Sequence, residues 1–309
     1  MLCDIQKKFH GIAFDVISKK KSSYIYSMLP RSLLISLLFF AKVHFYEGCS
    51  SNDDKKYSSP DNYDINNPVK INLPVGLDEI SGLSYYPKDS SVFAIVDEDG
   101  ILFKISLNGN NSIKEWRFDK KHDFEDIVMH DSTFYILISN GDIESLKFIG
   151  DSIYKTKSEF PNAGKKTNEF EALYYDDASG LSMMCKNCED DGKKVVSVLG
   201  YLPDSSTYKT LFTIDVKAIA KSIGEDKLHF KPSAAAINPV NNELFILSSV
   251  NKLLVVADKN GVIKNVYPLN PDMFNQPEGI TFTPKGDLII SNELGEKSTA
   301  TLLIFKRKK

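Results

Sequence analysis

Gln276-Pro277-Glu278-Gly279-Ile280-Thr281-Phe282 is one of five related stretches in this chain. The other four are Asp-Glu-Ile-Ser-Gly-Leu at 78–83, Asp-Phe-Glu-Asp-Ile-Val at 123–128, Glu-Phe-Glu-Ala-Leu-Tyr at 169–174 and a weaker Lys-Pro-Ser-Ala-Ala-Ala at 231–236. Their marker residues are 46, 46, 62 and 45 residues apart: Glu79, Glu125, Glu171, Ser233 and Glu278. A period near 45 residues in a strand-rich sequence is typical of β-propeller blades.

The apolar residues at 92–96 and 133–138 follow a strand pattern and lack the three- and four-residue spacing of helices. Each of the first four repeats contains four candidate strands separated by turn residues, whereas the fifth has only three. We expect Val69 to Leu73, which belongs to no repeat, to pair with residues 300–305 and close the ring, because closure removes exposed sheet edges. The sequence therefore predicts an all-β, five-bladed propeller as one domain over residues 66–309.

The 62-residue interval contains a segment with a helical pattern, Asp215 to Ile223. Asp215 is a suitable N-cap, and Gly224 is a typical stop. We predict one short helical insertion between the third and fourth blades.

The beginning of the chain resembles a secretory leader. Met28 is a second possible start, followed by the positive Arg31, an apolar run over 33–41 and a Gly-Cys pair ending at Cys49. The apolar run is shorter than the roughly 20 residues of a membrane-spanning helix, and a buried core helix is the alternative. We predict a leader over 1–49, a lipid anchor on Cys49 in the outer membrane of the cell envelope, facing the periplasm or the surface, and a flexible tether over 50–65.

A formal net charge of −3 gives no indication of a nucleic-acid partner, and we expect a monomer. Cys185 and Cys188 form a single Cys-x-x-Cys pair without a second ligand pair. A local disulfide and two free thiols are both compatible with this spacing.

Residues at one position of successive blades lie at one height around a propeller axis. We therefore expect the carboxylates of four inner glutamates to converge: Glu79, Glu125, Glu171 and Glu278. Converging carboxylates repel unless a cation binds, and hard oxygen donors suit Ca²⁺. In the alternative interpretation these side chains accept hydrogen bonds from backbone N–H groups and lock the blades together.

A second, less regular set of polar residues follows the inner motifs at the ends of the second strands: Glu98, Lys186, Ser249 and Glu293. We expect them to line one mouth of the channel and to form a pocket for a ligand with polar or anionic groups. Ordinary turn polarity is the alternative.

Five segments in this order, at 78–83, 170–176, 231–239, 247–258 and 276–282, together resemble the SdiA-regulated (YjiK-like) family over about residues 70–308. The resemblance implies a five-bladed propeller with a calcium site, distantly similar to NHL-repeat propellers, and matches the family's inner positions at Glu125, Glu171 and Glu278. Some relatives are described as phytase-like. We therefore expect a non-catalytic module that binds a ligand or an envelope protein, with a calcium-dependent phosphoester hydrolase as the alternative.

Overall fold

The computed structural model describes residues 56–109, 112–150, 152–161, 168–188, 193–295 and 299–308. Within them, twenty strands form five antiparallel four-stranded sheets. The first blade contains β2 (Ile80–Tyr86), β3 (Ser91–Val96), β4 (Ile101–Ser106) and β5 (Ile113–Arg117). The second contains β6 (Phe124–His130), β7 (Thr133–Ile138), β8 (Ile143–Ile149) and β9 (Ser152–Ser158).

The remaining blades follow the same order from the inner to the outer strand. The third contains β10 (Phe170–Asp176), β11 (Gly180–Cys185), β12 (Val195–Leu202) and β13 (Thr207–Asp215). The fourth contains β14 (Ala234–Ile237), β15 (Leu244–Ser248), β16 (Leu253–Ala257) and β17 (Ile263–Pro268). The fifth contains β18 (Pro277–Phe282), β19 (Leu288–Asn292), β20 (Thr301–Phe305) and, as its outer strand, β1 (Val69–Asn72).

The pairing of β1 with β20 closes the ring as predicted. It is antiparallel and runs from Val69 opposite Ile304 to Asn72 opposite Thr301. The fifth blade thus takes its inner three strands from one end of the described chain and its outer strand from the other. The predicted five-bladed fold is confirmed.

The five inner strands pack side by side in the order β2, β6, β10, β14, β18 and back to β2. Apolar residues of facing blades form a separate buried cluster at each of the five blade interfaces. Between the first two blades, for example, Phe93 and Phe134 lie with their ring centroids 4.5 Å apart. Because the cores lie between blades, the ring centre is free for polar side chains.

The described residues contain one helix, α1 (Val216–Ser222), where the sequence predicts it. The carboxylate of Asp215 accepts a hydrogen bond from the Lys217 N–H at 2.8 Å, which satisfies a free donor of the first turn. Val216 and Ile219 are buried against the core between the third and fourth blades. No helix among the described residues is long and apolar enough to cross a lipid bilayer.

The folded unit begins at Lys56, earlier than the boundary at residue 66 that the sequence predicts. Tyr63 and Ile65 are buried in the core between the fourth and fifth blades. The Tyr63 hydroxyl donates to the Gly286 carbonyl at 2.6 Å and accepts from the Asn238 side chain at 3.0 Å. Residues 56–65 are therefore part of the propeller, while the predicted leader, Cys49 and the start of the predicted tether lie outside the described residues.

Candidate metal site in the central channel

Four of the five inner strands shift register by a bulge near their start, in β2, β6, β10 and β18. In three of them a glutamate occupies the bulge: Glu125, Glu171 and Glu278. A bulge turns a side chain away from the regular alternation of the strand. All three glutamates line a cavity in the channel, so the structure brings these predicted residues together.

Glu79, the fourth predicted member, is exposed and does not line this cavity. The Asp97 N–H donates to the Glu79 carbonyl at 3.1 Å, just as the Lys186 N–H donates to the Glu169 carbonyl at 2.7 Å. Glu79 therefore occupies the position in the first blade that Glu169 occupies in the third. Ser81 lies at the bulge of the first blade and lines the cavity. The prediction chose Glu79 because it is a glutamate, whereas the bulge of the first blade falls two residues later, at Ser81.

Three of the four residues predicted for the channel mouth lie in or next to the cavity. Lys186 and Glu293 line it. The Ser249 side chain is hydrogen-bonded to Glu278 and lowers the pKa of that carboxyl against the larger effect of its burial. Lys186, Glu293 and Ser249 therefore lie beside the inner glutamates. Residues predicted for the metal site and for the channel mouth form one site.

Glu98, the remaining mouth residue, points elsewhere. Its side chain is 65% exposed and pairs with Lys121 at 3.0 Å. The preceding residue, Asp97, lines the cavity instead. The predicted position is therefore off by one residue, in the bend that follows β3.

The cavity has a volume of about 190 Å³ and a strongly acidic lining. Its lining contains seven carboxyl side chains, one ammonium and one hydroxyl: Asp97, Asp123, Glu125, Glu169, Glu171, Glu278, Glu293, Lys186 and Ser81. Lys186 contacts the Glu171 carboxylate and lies 3.3 Å from that of Glu169. One ammonium cannot neutralise seven carboxylates.

Asp123 and Glu169 are not among the residues predicted from the sequence, although a sequence signal for them exists. Each stands two residues before a bulge glutamate, in Asp123-Phe124-Glu125 and Glu169-Phe170-Glu171. Residues two apart in an extended chain point to the same side. Two acidic residues on either side of one apolar residue, at the start of an inner strand, therefore indicate a pair of channel carboxylates.

Burial and mutual repulsion raise the pKa values of five of these carboxyls: Asp97, Glu125, Glu171, Glu278 and Glu293. Burial raises the pKa of Glu125 to about 10, and Glu171 and Asp123 add to the shift. Burial also raises the pKa of Glu278 and of Glu293 to about 7. For Glu171, burial raises the pKa while the ammonium of Lys186 opposes the shift. The channel therefore retains protons near neutral pH when no other cation compensates its charge.

The carboxyls of Asp97 and Asp123 interact directly, which together with burial raises the pKa of Asp97 to about 7. Asp97 Oδ1 is buried and has no hydrogen-bond partner in the described part of the chain. Such an atom is costly unless a cation or a proton satisfies it. A lining of carboxylate oxygens, without a thiol or imidazole among the residues named for it, fits a hard cation.

The disulfide between Cys185 and Cys188 encloses Lys186 and Asn187. The backbone N–H groups of both enclosed residues donate to the Glu169 carbonyl, at 2.7 and 3.2 Å. Of the two alternatives left open by the spacing, the structure contains the disulfide. The bridge and these hydrogen bonds fix the loop that directs Lys186 into the channel.

A family model described as SdiA-regulated matches residues 62–294. The chain belongs to the SdiA-regulated family. No curated protein matches the sequence. Among solved structures, the chain is similar to glutaminyl cyclase from Myxococcus xanthus, with 13% identity, a TM-score of 0.53 and coverage of 78% of this chain and 97% of the other. It is also similar to regucalcin from Agrobacterium tumefaciens, with 10% identity, a TM-score of 0.50 and coverage of 75% and 92%. At these identities the similarities show the shared propeller fold alone.

Proposed function

We propose that this SdiA-regulated protein is an exported, lipid-anchored propeller that binds Ca²⁺ in its channel and a ligand or an envelope protein at the adjoining mouth. The observation that carries the calcium proposal is the convergence of seven carboxyl side chains on a cavity of about 190 Å³ with a single ammonium. Ca²⁺ takes six to eight oxygen ligands in flexible geometry, which suits carboxylates supplied by several blades. The regucalcin to which the fold is similar is described as a calcium-binding protein.

The candidate ligands divide into two groups. Among the described residues, no ammonium is in direct contact with Glu125 or Glu278, which are therefore the primary candidates. Glu171 and Glu169 already contact Lys186, so a metal ion competes with that ammonium for them. Lys186 therefore reduces the affinity for Ca²⁺ and favours a site that exchanges its ion with the surroundings.

A binding role is favoured over phosphoester hydrolysis by the charge of the lining. A phosphate ester requires several cationic groups to offset its charge. Among the described residues that line the cavity, Lys186 is the only basic one. The nearby Lys252 donates to the backbone carbonyls of Ser249 and Asn275 at 2.6 and 2.5 Å, so it is committed to holding the loop.

Calcium binding is tested by thermal denaturation and calorimetric titration of the chelator-treated protein. A ligand that binds only the folded state raises its melting temperature by mass action. We expect Ca²⁺ to raise it more than Mg²⁺, which prefers six-coordinate geometry and loses water reluctantly. Glu125→Gln and Glu171→Gln should weaken the response, whereas the exposed Glu115→Gln on β5 is a matched control. A flat titration with metal-independent melting contradicts calcium binding.

The hydrolase alternative is tested on the same protein incubated with phytate and Ca²⁺. Calcium-dependent release of phosphate that disappears in Glu171→Gln would replace the binding role with catalysis. The absence of release, together with calcium-dependent stability, supports a non-catalytic module.

The envelope location derives from the sequence of residues 28–49, with its short positive start, apolar run and terminal Gly-Cys pair. Cys49→Ser should abolish acyl labelling and move the protein from the membrane to the soluble fraction. An unchanged distribution rules out the lipid anchor. We expect the released propeller to be a monomer in solution.

A further inference from the structure

A second group of metal-ligating side chains lies outside the channel, where the first blade connects to the second. Asp119 and His122 belong to the segment between β5 and β6, and Glu144 is on β8. One ligand atom from each of the three lies within 4.8 Å of the other two. None of these residues lines the acidic cavity of the channel.

The fold fixes the position of this connecting segment. The N–H groups of Phe118 and Asp119 both donate to the Gly100 carbonyl, at 2.8 and 3.2 Å. The His122 ring meets the buried ring of Phe124 edge-on, with centroids 5.6 Å apart. His122 Nε2 lies 3.6 Å from Asp119 Oδ2, so the imidazole already faces the carboxylate.

Glu144 supplies an independent indication that a cation binds here. Its side chain is fully buried, with 0% exposure. Oε1 accepts from the Lys155 ammonium at 3.2 Å, whereas Oε2 is buried and has no hydrogen-bond partner in the described part of the chain. The Asp119 carboxyl is in direct contact with that of Glu144. Of the two Glu144 oxygens, Lys155 is a donor to Oε1 only, so the buried Oε2 still lacks the proton or cation that would satisfy it beside the Asp119 carboxyl.

We propose that Asp119, His122 and Glu144 form a binding site for a first-row divalent transition-metal ion such as Zn²⁺. One imidazole nitrogen with two carboxylate oxygens is a donor set that such ions accept, while Ca²⁺ prefers oxygen alone. Ligands about 2.1 Å from a common ion lie roughly 3.4 Å apart in tetrahedral geometry. The ligand atoms, now within 4.8 Å of one another, would have to close to this separation by side-chain rotation. Three protein ligands leave one coordination position for water or another ligand.

Lys155 is the residue that a metal ion has to displace. Its ammonium contacts Asp119 and lies 3.2 Å from Glu144 Oε1, so it offsets part of the carboxylate charge in the metal-free protein. The side chain extends from β9 and is 28% exposed, which gives its long stem access to solvent. A bound divalent ion supplies the charge that Lys155 otherwise provides.

Substitution of Lys155 distinguishes a metal site from a salt-bridge cluster that merely holds two blades together. Lys155→Met retains most of the apolar stem and removes the competing charge. We expect Zn²⁺ to bind this variant at least tenfold more tightly than the wild-type protein. If these residues form only a salt-bridge cluster, Lys155→Met should be less stable than the wild type and should not bind zinc more tightly.

The experiment is calorimetric titration of the untagged, chelator-treated protein with Zn²⁺, in excess Ca²⁺ so that the channel carboxylates are occupied. We expect one zinc site per chain, with affinity at least tenfold lower in His122→Gln and Glu144→Gln. Titration with Co²⁺ adds a visible absorption spectrum that reports a nitrogen ligand and should be lost in His122→Gln. His130→Gln is the matched control, since His130 stacks on Tyr175 with centroids 3.7 Å apart and is not among the three candidate ligands.

The folded fraction of each variant is measured without metal, so that loss of binding is separated from loss of structure. His122 is 40% exposed, and its substitution should leave the melting temperature nearly unchanged. Zinc binding that is equal in His122→Gln, Glu144→Gln and the wild type places the ion elsewhere and overturns the proposal. The absence of a saturable zinc site in the wild type and in Lys155→Met overturns it as well.

Discussion

Glu278 is the channel residue whose neutralisation should most clearly stabilise the metal-free protein. Burial raises its pKa from 4.5 to about 7, and the neighbouring Glu293 adds to the shift. In the unfolded chain this carboxyl ionises at its ordinary value, so between these two values the folded state binds more protons than the unfolded state. The protonated Glu278 carboxyl contributes to the free energy of unfolding; this contribution is complete below about pH 4.5 and is lost as the pH rises through 7. The difference between the two pKa values corresponds to about 3 kcal/mol.

The perturbation is Glu278→Gln, which keeps the shape of the side chain and removes its charge. In chelator at pH 8, we expect the free energy of unfolding of the variant to exceed that of the wild type by up to about 3 kcal/mol. At pH 5 the two proteins should differ little, because the folded wild type is then protonated at this position. With Ca²⁺ at pH 8 the order should reverse, since the variant lacks a ligand. Urea denaturation at the two pH values, with and without Ca²⁺, measures all four quantities.

Glu115→Gln is the control, because Glu115 is exposed on β5 and lies outside the channel lining. It should change the free energy of unfolding by no more than about 0.5 kcal/mol under any of the four conditions. If Glu278→Gln lowers stability equally at both pH values and regardless of calcium, the glutamate is a structural hydrogen-bonding group. That result would refute the reasoning from buried charge.

Two further substitutions test contacts that connect the blades. Asp126 is buried on β6, and its carboxylate accepts hydrogen bonds from the backbone N–H groups of Ile127 at 2.8 Å and Leu173 at 2.7 Å. Asp126→Ala leaves both donors unsatisfied and should lower the free energy of unfolding, measured by urea denaturation, by about 2–3 kcal/mol. An unchanged midpoint would contradict a role for Asp126 in locking the two blades together. Tyr63→Phe removes a hydroxyl that donates to the Gly286 carbonyl and accepts from the Asn238 side chain, and should cost about 1–2 kcal/mol. The exposed Tyr154→Phe serves as its control, and equal effects of the two substitutions would show that the hydrogen bonds of the Tyr63 hydroxyl do not stabilise the propeller.

The architecture was predictable from the sequence because the period and the strand pattern encode it directly. Each repeat supplies one sheet, and the unassigned segment at Val69 had one remaining position, next to the three strands of the last repeat. The helix after Asp215 was also predictable, since capping is a local property of a few residues. The boundary at residue 66 was placed too late, because the polar composition before it conceals two residues, Tyr63 and Ile65, that are buried.

The candidate sites were only partly predictable, because side-chain direction depends on bulges that leave no clear trace in the sequence. Glu79 and Ser81 are two residues apart, and only the register of β2 against β3 shows that Ser81 occupies the bulge. Glu98 and Asp97 differ by one position and point to different surroundings. The cluster at Asp119 was not predictable at all, since its members come from a connection and from the third strand of the next blade.

Lys186 connects the chemistry of the channel with the fold that surrounds it. The disulfide between Cys185 and Cys188 and two hydrogen bonds to the Glu169 carbonyl hold its loop in place, so its ammonium is a fixed part of the site. A single ammonium contacts Glu171 and Glu169, yet burial still raises the pKa of Glu171, as it raises those of Glu125, Glu278 and Glu293. The negative charge of the channel is therefore only partly compensated, and a divalent cation bound as proposed would replace protons at Glu125, Glu278 and Glu293. Because those protons would have to be released, the proposed cation binding should depend on pH through the same buried carboxyls.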